Sequence, residues 1–270
     1  MDDNDPTAQL RGAVYRGDAA AIVALLQRTE LAEWLQLGGD GLVVALTRHA
    51  EGAATAAGQW AGRLRDRGWD GDLELAEQLD ARLGTGPTPM LRPLPVDLEE
   101  LAALLEVDPL SGGGRVDLRT GEVWPLPAIE YAVEIGEEDE DASEAPWWLP
   151  VHCEGSRDGY RDMQAFIATV ADDERADRLA TAIRGRGAFR RFKDVLGGWS
   201  GELERWFAFA EERRRGRTRA WLAGEGYYVA PPAGRARTDP SGSAARSAQP
   251  PGRCRHTDPH SGRRTGRRTG

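Results

Sequence analysis

The sequence predicts an α+β protein that is predominantly helical. An N-terminal helical domain is followed by a small β-hairpin with a four-helix C-terminal part, and then by a disordered tail. Three observations carry this reading. Apolar residues recur at three- and four-residue steps over most of 8–84 and again over 97–223, the spacing of amphipathic helices. Val116 to Trp124 alternates instead, around a turn closed by glycine. After Tyr228, Pro, Gly, Ser, Thr and Arg displace nearly all apolar residues.

Within 1–84, Leu10, Ala13 and Val14, then Ala21, Ile22, Leu25 and Leu26, fall on helical stripes. This pair is similar to the two helices of one ankyrin repeat, but no second copy follows about 33 residues later, so plain helical periodicity is the preferred reading. Further helices are expected at 31–36, 40–50, 53–67 and 72–83, with Trp34, Trp60 and Trp69 filling a small core. Asp72 is the expected N-cap of the last of these. Asp70, Asp72 and Glu74 mimic the start of a calcium loop, but the required glycine and terminal glutamate are missing, which leaves the capping role.

Four prolines between Gly84 and Pro95 mark 85–96 as an extended linker. The second domain, 97–228, opens with a helix from Asp97 to Glu106 whose apolar face is Leu98, Leu101, Leu104 and Leu105. Gly112-Gly113-Gly114 ends it. Arg115–Leu118 and Glu122–Leu126 then flank Arg119-Thr120-Gly121, a hairpin signal. Periodicity leaves Ala128–Ile135 open between helix and third strand. Six acids in the eight residues 137–144 cannot enter a core and predict a solvated loop. Trp147 to Val151 reads as a buried segment, extended in one reading.

Four helices complete the domain, at about 158–170, 173–184, 188–196 and 201–223. Asp172 should cap the second, and Phe189, Phe192 and Leu196 should form the buried stripe of the third. In the fourth, Trp206 and Phe207 are expected inside. Residues 229–270 form the disordered basic tail.

Charge is distributed unevenly. From Pro231 onward there are nine arginines and two aspartates, or +7, so subtracting this from the total of −9 leaves −16 on residues 1–230. An acidic body disfavours broad attraction to nucleic acid or anionic lipid. No apolar run reaches the roughly 20 residues of a membrane span, and the acidic N-terminus does not resemble a signal peptide. Two cysteines, Cys153 and Cys254, build no disulfide framework. The expectation is a reduced, cytoplasmic protein without membrane association.

The candidate site is the loop and helix start Arg184-Gly185-Arg186-Gly187, with Arg190, Arg191 and Lys193, the only lysine among 35 basic residues. Two glycines permit unusual backbone angles, and the amides opening the next helix point toward an anion. Arginines there can add charge-assisted contacts to a phosphate or carboxylate. The competing explanation is a sharp helix–helix turn solvated by arginines. Arg190 and Asp194 stand four apart and should form a surface pair. His152 and Cys153 are adjacent in sequence, which does not make a nucleophile–base pair. No histidine spacing fits zinc, so neither metal nor cofactor is assigned.

Together, Val116–Val123, the acidic run, Trp148-Leu149-Pro150, Gly185-Arg186-Gly187-Ala188-Phe189-Arg190-Arg191-Phe192-Lys193-Asp194 and Trp206-Phe207 resemble the bacterial uncharacterised protein family 0158, over about 97–228. The resemblance implies a bacterial origin and a compact α+β domain, and no activity, cofactor or catalytic residue. The first functional expectation is therefore a non-enzymatic interaction protein whose basic loop binds an anionic ligand or a partner protein. A hydrolase or transferase on a phosphorylated ligand, gripped by Arg186, Arg190 and Lys193, is the alternative from another class. RNA association is the third.

Overall fold

The computed structural model describes residues 5–28, 31, 33–109, 112–136, 145–153, 155 and 157–231. The chain divides into two units, 1–234 and 235–270, and everything that follows concerns the first. The acidic run 137–144 and most of the predicted tail, from residue 232 on, lie outside the described residues.

Helix α1 (Pro6–Arg16) starts where Asp5 accepts a hydrogen bond from the Thr7 amide and proline occupies the first turn. Asp18 caps α2 (Ala19–Leu26) in the same way. These helices pack with α3 (Leu35–Thr47), α4 (Ala53–Arg67) and α5 (Asp72–Leu83) around Leu10, Ile22, Leu42, Leu64, Leu75 and Leu79. Helix α3 corrects the expected break between 36 and 40. Gly38 and Gly39 sit inside it because the Trp60 ring and the Leu75 side chain press on the helix there. A Cβ at either position would come within 2.6 or 2.4 Å of them. Burial against two neighbours thus overrides the low helix propensity of glycine.

Asp72 is also placed differently from its expected role. Gly71, at φ 78°, is the N-cap, and Asp72 is the fully buried first residue of α5.

Inside the proline-rich stretch, β1 (Arg92–Leu94) pairs in parallel with β5 (Tyr227–Val229), so Val229, the expected first tail residue, belongs to a strand. Helix α6 (Leu98–Leu105) is capped by Asp97, with all four predicted leucines buried. A three-stranded antiparallel sheet follows, in the order β3-β2-β4, from β2 (Gly114–Asp117), β3 (Val123–Pro125) and β4 (Trp148–Val151). Gly121, at φ 78°, closes the hairpin turn and donates its amide to Asp117. The open choice for 128–135 resolves as helix α7 (Leu126–Glu134). Leu94, Leu101, Val116, Leu149, Leu222 and Tyr227 make the core of this region.

Helices α8 (Arg157–Ile167), α9 (Asp173–Ala182), α10 (Ala188–Leu196) and α11 (Glu202–Gly224) build a third core. Its centre is aromatic. Phe166, Phe192 and Trp206 meet edge to face at centroid distances of 4.8 to 6.0 Å. Two expected core rings lie outside it: Phe189 is 39% exposed and Phe207 52%. Phe189 lies at i−3 from Phe192, where the helix face already turns toward α8 and its ring covers Gly159.

Helix α11 ties the regions together, packing against α3, α5, α6 and α8. At its midpoint Gly216 meets the turn at Asp70-Gly71 backbone to backbone. A Cβ on Gly216 would stand 2.1 Å from the Asp70 carbonyl oxygen, and one on Gly71 2.1 Å from that of Gly216.

Candidate functional site

The predicted loop is the corner between α9 and α10. Gly185 and Gly187 both take positive φ, 76° and 78°, where a Cβ is costly. Arg191, one turn into α10, reaches back across this corner. Its Nε donates to the Ala182 carbonyl at 3.0 Å, its Nη2 to that of Arg184 at 2.6 Å, and its Nη1 to that of Arg186. The last carbonyls of a helix have no partner within it. The Arg191 guanidinium satisfies one of these, that of Ala182, together with two carbonyls of the loop beyond it, at the negative end of the α9 dipole. Arg191 is thus a clamp on the corner.

The other candidates, Arg184, Arg186, Arg190 and Lys193, are exposed on this corner along with the two glycines. The expected Arg190–Asp194 pair forms at 3.8 Å between side chains that are 90% and 69% exposed, so water screens most of it. Phe189 contributes an apolar ring on the same helix. On the other side, between α9 and α10, Glu174, Asp177 and Asp194 line an open groove together with Arg178 and Arg191.

A second constellation was invisible in the sequence. Glu212, on α11 and 2% exposed, accepts from the Gln36 amide at 2.7 Å and the Leu37 amide at 3.1 Å. It thereby caps α3, whose own N-cap, Trp34, makes no side-chain bond. Arg67 bridges Glu212 at 2.9 Å and Asp72 at 2.7 Å, with its guanidinium 4.3 Å from the Trp69 ring centre. The Gln36 side chain donates from Nε2 to Asp72 at 2.8 Å and accepts from Arg219 on Oε1 at 2.8 Å. Arg219 and Arg215 both hold Asp40, the latter at 2.9 Å, and Arg215 continues to Glu99 at 3.1 Å. Arg11 reaches the same Glu99 oxygen at 3.1 Å.

The electrostatics of this chain of charges differ from one end to the other. Burial pushes Asp40 upward, but Arg219 and Arg215 outweigh it and hold the carboxyl below its ordinary range. Burial opposes the charged form of Glu99 as well, and Arg215 and Arg11 again prevail. At Glu212 burial wins over Arg67 and the two amides, so its carboxyl is raised. Each charge is matched by direct partners, as buried ions require. This is chiefly a structural lock, joining segments about 180 residues apart.

A third cluster lies beside α6 and α8. Asp162, 3% exposed, receives Arg213 at 2.6 Å and Arg217 at 2.8 Å. Arg217 also stands 3.9 Å from Glu106 and 3.8 Å from Asp158. Burial raises Glu106 more than Arg214 and Arg217 lower it. Cys153 donates its thiol to the Leu104 carbonyl at 3.1 Å, and burial raises its pKa. His152, its sequence neighbour, is exposed. A thiol so placed is poorly prepared as a nucleophile, which must first ionise. Among the described residues, no three His, Cys, Asp or Glu side chains are grouped to hold a metal, and no helix is long and apolar enough to cross a membrane.

The α11 residues could have been noticed from one signal. Gly216 interrupts a run of five nearby arginines in a long helix, where a glycine has no reason to be unless another backbone passes there.

Comparison with curated proteins and with solved structures returned no match. The hairpin, the acidic run and Trp148-Leu149-Pro150, which contributed to the resemblance noted in the sequence, fall before the stretch that a family model recognises. That stretch, residues 154–232, holds α8 to α11, the basic corner and β5, and it matches the uncharacterised protein family UPF0158.

Proposed function

We infer that this chain is a non-enzymatic, cytoplasmic interaction protein of bacterial origin whose basic corner, 184–193, receives an acidic segment of a partner protein. The observation that carries this is the Arg191 clamp. It fixes a two-glycine turn from inside, so Arg184, Arg186, Arg190 and Lys193 project from a rigid corner without being folded back onto it. A preorganised cationic surface loses less conformational freedom on binding than a mobile one. Phe189, partly exposed beside these charges, supplies the apolar anchor that a charge patch alone lacks. The acidic body around the corner repels long polyanions while leaving a short acidic segment able to dock.

The interaction reading is favoured over catalysis by how the buried ionisable groups are used. Asp40, Asp162 and Glu212 are each bound to arginines, and the Cys153 thiol is hydrogen-bonded to a carbonyl. At Asp40 the arginines favour the charged carboxylate and at Cys153 burial favours the neutral thiol, where an acid or base must change its own state.

Affinity capture with the full chain tests this, comparing wild type with Arg186→Ala/Arg190→Ala/Lys193→Ala. All three positions are exposed, so the variant should keep its melting temperature and lose the captured protein. Unchanged capture by the folded variant would overturn the reading. RNA as the retained species, lost on nuclease treatment and at high salt, would transfer the corner to nucleic-acid binding.

A further inference from the structure

We propose that the acidic partner of the basic corner is a second copy of this chain, and that the corner of one copy docks in a groove between α1 and α11 of the next. The inference rests on the reading of 184–193 as a docking surface and names what that surface meets. The groove measures about 1140 Å³ and is lined by the start of α1, the turn before α3 and the first half of α11. Trp34, Phe207, Ala208 and Ala210 give it an apolar floor. Phe207 is 52% exposed there. An apolar concavity rimmed by charge is the form of a protein docking surface.

The charges around the groove select its occupant. Three arginines line it, and each is held by carboxylates: Arg11 by Glu99 and Glu211, Arg205 by Glu202, and Arg214 by Glu211. Asp5 accepts from the amide and hydroxyl of Thr7, and Arg11 influences it less than either bond. Glu33 and Glu204 are exposed and meet no cation among the described residues. The rim therefore keeps a negative balance over an apolar floor. An apolar knob flanked by cations complements it, whereas an anionic occupant would be repelled. The corner is such a knob. Phe189, 39% exposed, shares it with Arg186 and Lys193, whose side chains make no ion pair among the described residues. Arg190 has only the screened contact with Asp194. Phe189 and Phe207 both stay exposed in a single copy, so its own corner and groove do not cover each other. A contact between two unlike surfaces of one chain is heterologous, and each copy then offers its corner to one neighbour and its groove to another.

Sedimentation velocity of the full chain tests this, and wild type should self-associate as its concentration rises. Two variants each damage one surface: Arg186→Ala/Arg190→Ala/Lys193→Ala at the corner, and Glu33→Gln/Glu204→Gln/Phe207→Ala in the groove. All six positions are exposed, so both variants should melt as wild type does. Each alone should associate at least tenfold more weakly. Mixed, they should form a complex of one copy of each, because the intact groove of the first takes the intact corner of the second and growth stops there. If either variant melts early, hydrogen exchange of wild type decides, and 184–193 and 204–211 should gain protection together as concentration rises. A wild type that stays monomeric, a groove variant that still self-associates, or a mixture without the one-to-one complex would each overturn the proposal. With a monomeric wild type, the corner still stands as a docking surface if the corner variant loses a different captured protein, and falls as well if capture is unchanged.

Discussion

Replacing Glu212 with alanine removes the carboxylate that joins α11 to the N-terminal helices. Two buried amides, those of Gln36 and Leu37, then lose their acceptor, and Arg67 loses one of its two acidic partners. An unsatisfied buried donor costs roughly 1–3 kcal/mol, and breaking a buried ion pair from one side about 3–5 kcal/mol in all. Part of the Arg67 charge remains compensated by Asp72, which argues for the lower half, about 3–4 kcal/mol. Glu212→Gln keeps one acceptor oxygen and avoids burying a charge, so it should cost only about 1–2 kcal/mol. Urea unfolding followed by tryptophan fluorescence measures both, since Trp69 lies against Arg67. With a slope of about 2–3 kcal/mol/M, the alanine variant should unfold at a midpoint lower by ~1–2 M. A loss below about 1 kcal/mol in Glu212→Ala, or a glutamine variant as damaged as the alanine one, would refute the role of Glu212 as cap and charge partner.

Three further outcomes are expected. Gly216→Ala places a Cβ against the Asp70 carbonyl and forces two backbones apart, so it should lower stability by about 1–3 kcal/mol or more, as thermal melting will register. Asp40 has a folded pKa below its ordinary value of 3.8, so it stabilises the fold above that pH, and this contribution disappears as the pH falls through the lower folded value. Asp40→Asn should therefore be less stable than wild type at neutral pH, and the gap should narrow on acidification below about pH 4 in denaturant titrations. Arg191→Ala frees three carbonyls, and hydrogen exchange at 184–188 should accelerate at least tenfold while the remaining cores stay protected.

Elements governed by local chemistry were legible in the sequence. Asp172 caps where a carboxylate precedes an amphipathic run, and Arg119-Thr120-Gly121 turns where glycine permits it. Helix 188–196 was readable because its apolar residues lie on one stripe. Features set by distant partners were not. Gly38 and Gly39 signal a break until Trp60 and Leu75 are known to cover them. The pairing of Arg92–Leu94 with Tyr227–Val229 joins two three-residue strands across the whole domain, and neither end carries a pattern.

The candidate site divides in the same way. The corner at 184–193 was visible as glycines and charge, but Arg191 looked equivalent to Arg190. Only the fold separates an arginine that clamps three carbonyls from its neighbour, which stands in solvent. The lock of Glu212, Arg215 and Arg219 was hidden because charged residues fall on every face of that helix, the usual mark of an exposed one.

The most direct measurement of the central claim is quantitative capture by three versions of the full chain: wild type, Arg186→Ala/Arg190→Ala/Lys193→Ala, and a control with exposed Arg48→Ala. The account predicts a protein partner bound by wild type and control and reduced at least tenfold with the triple variant, all three melting at the same temperature. Equal capture by all three would contradict it.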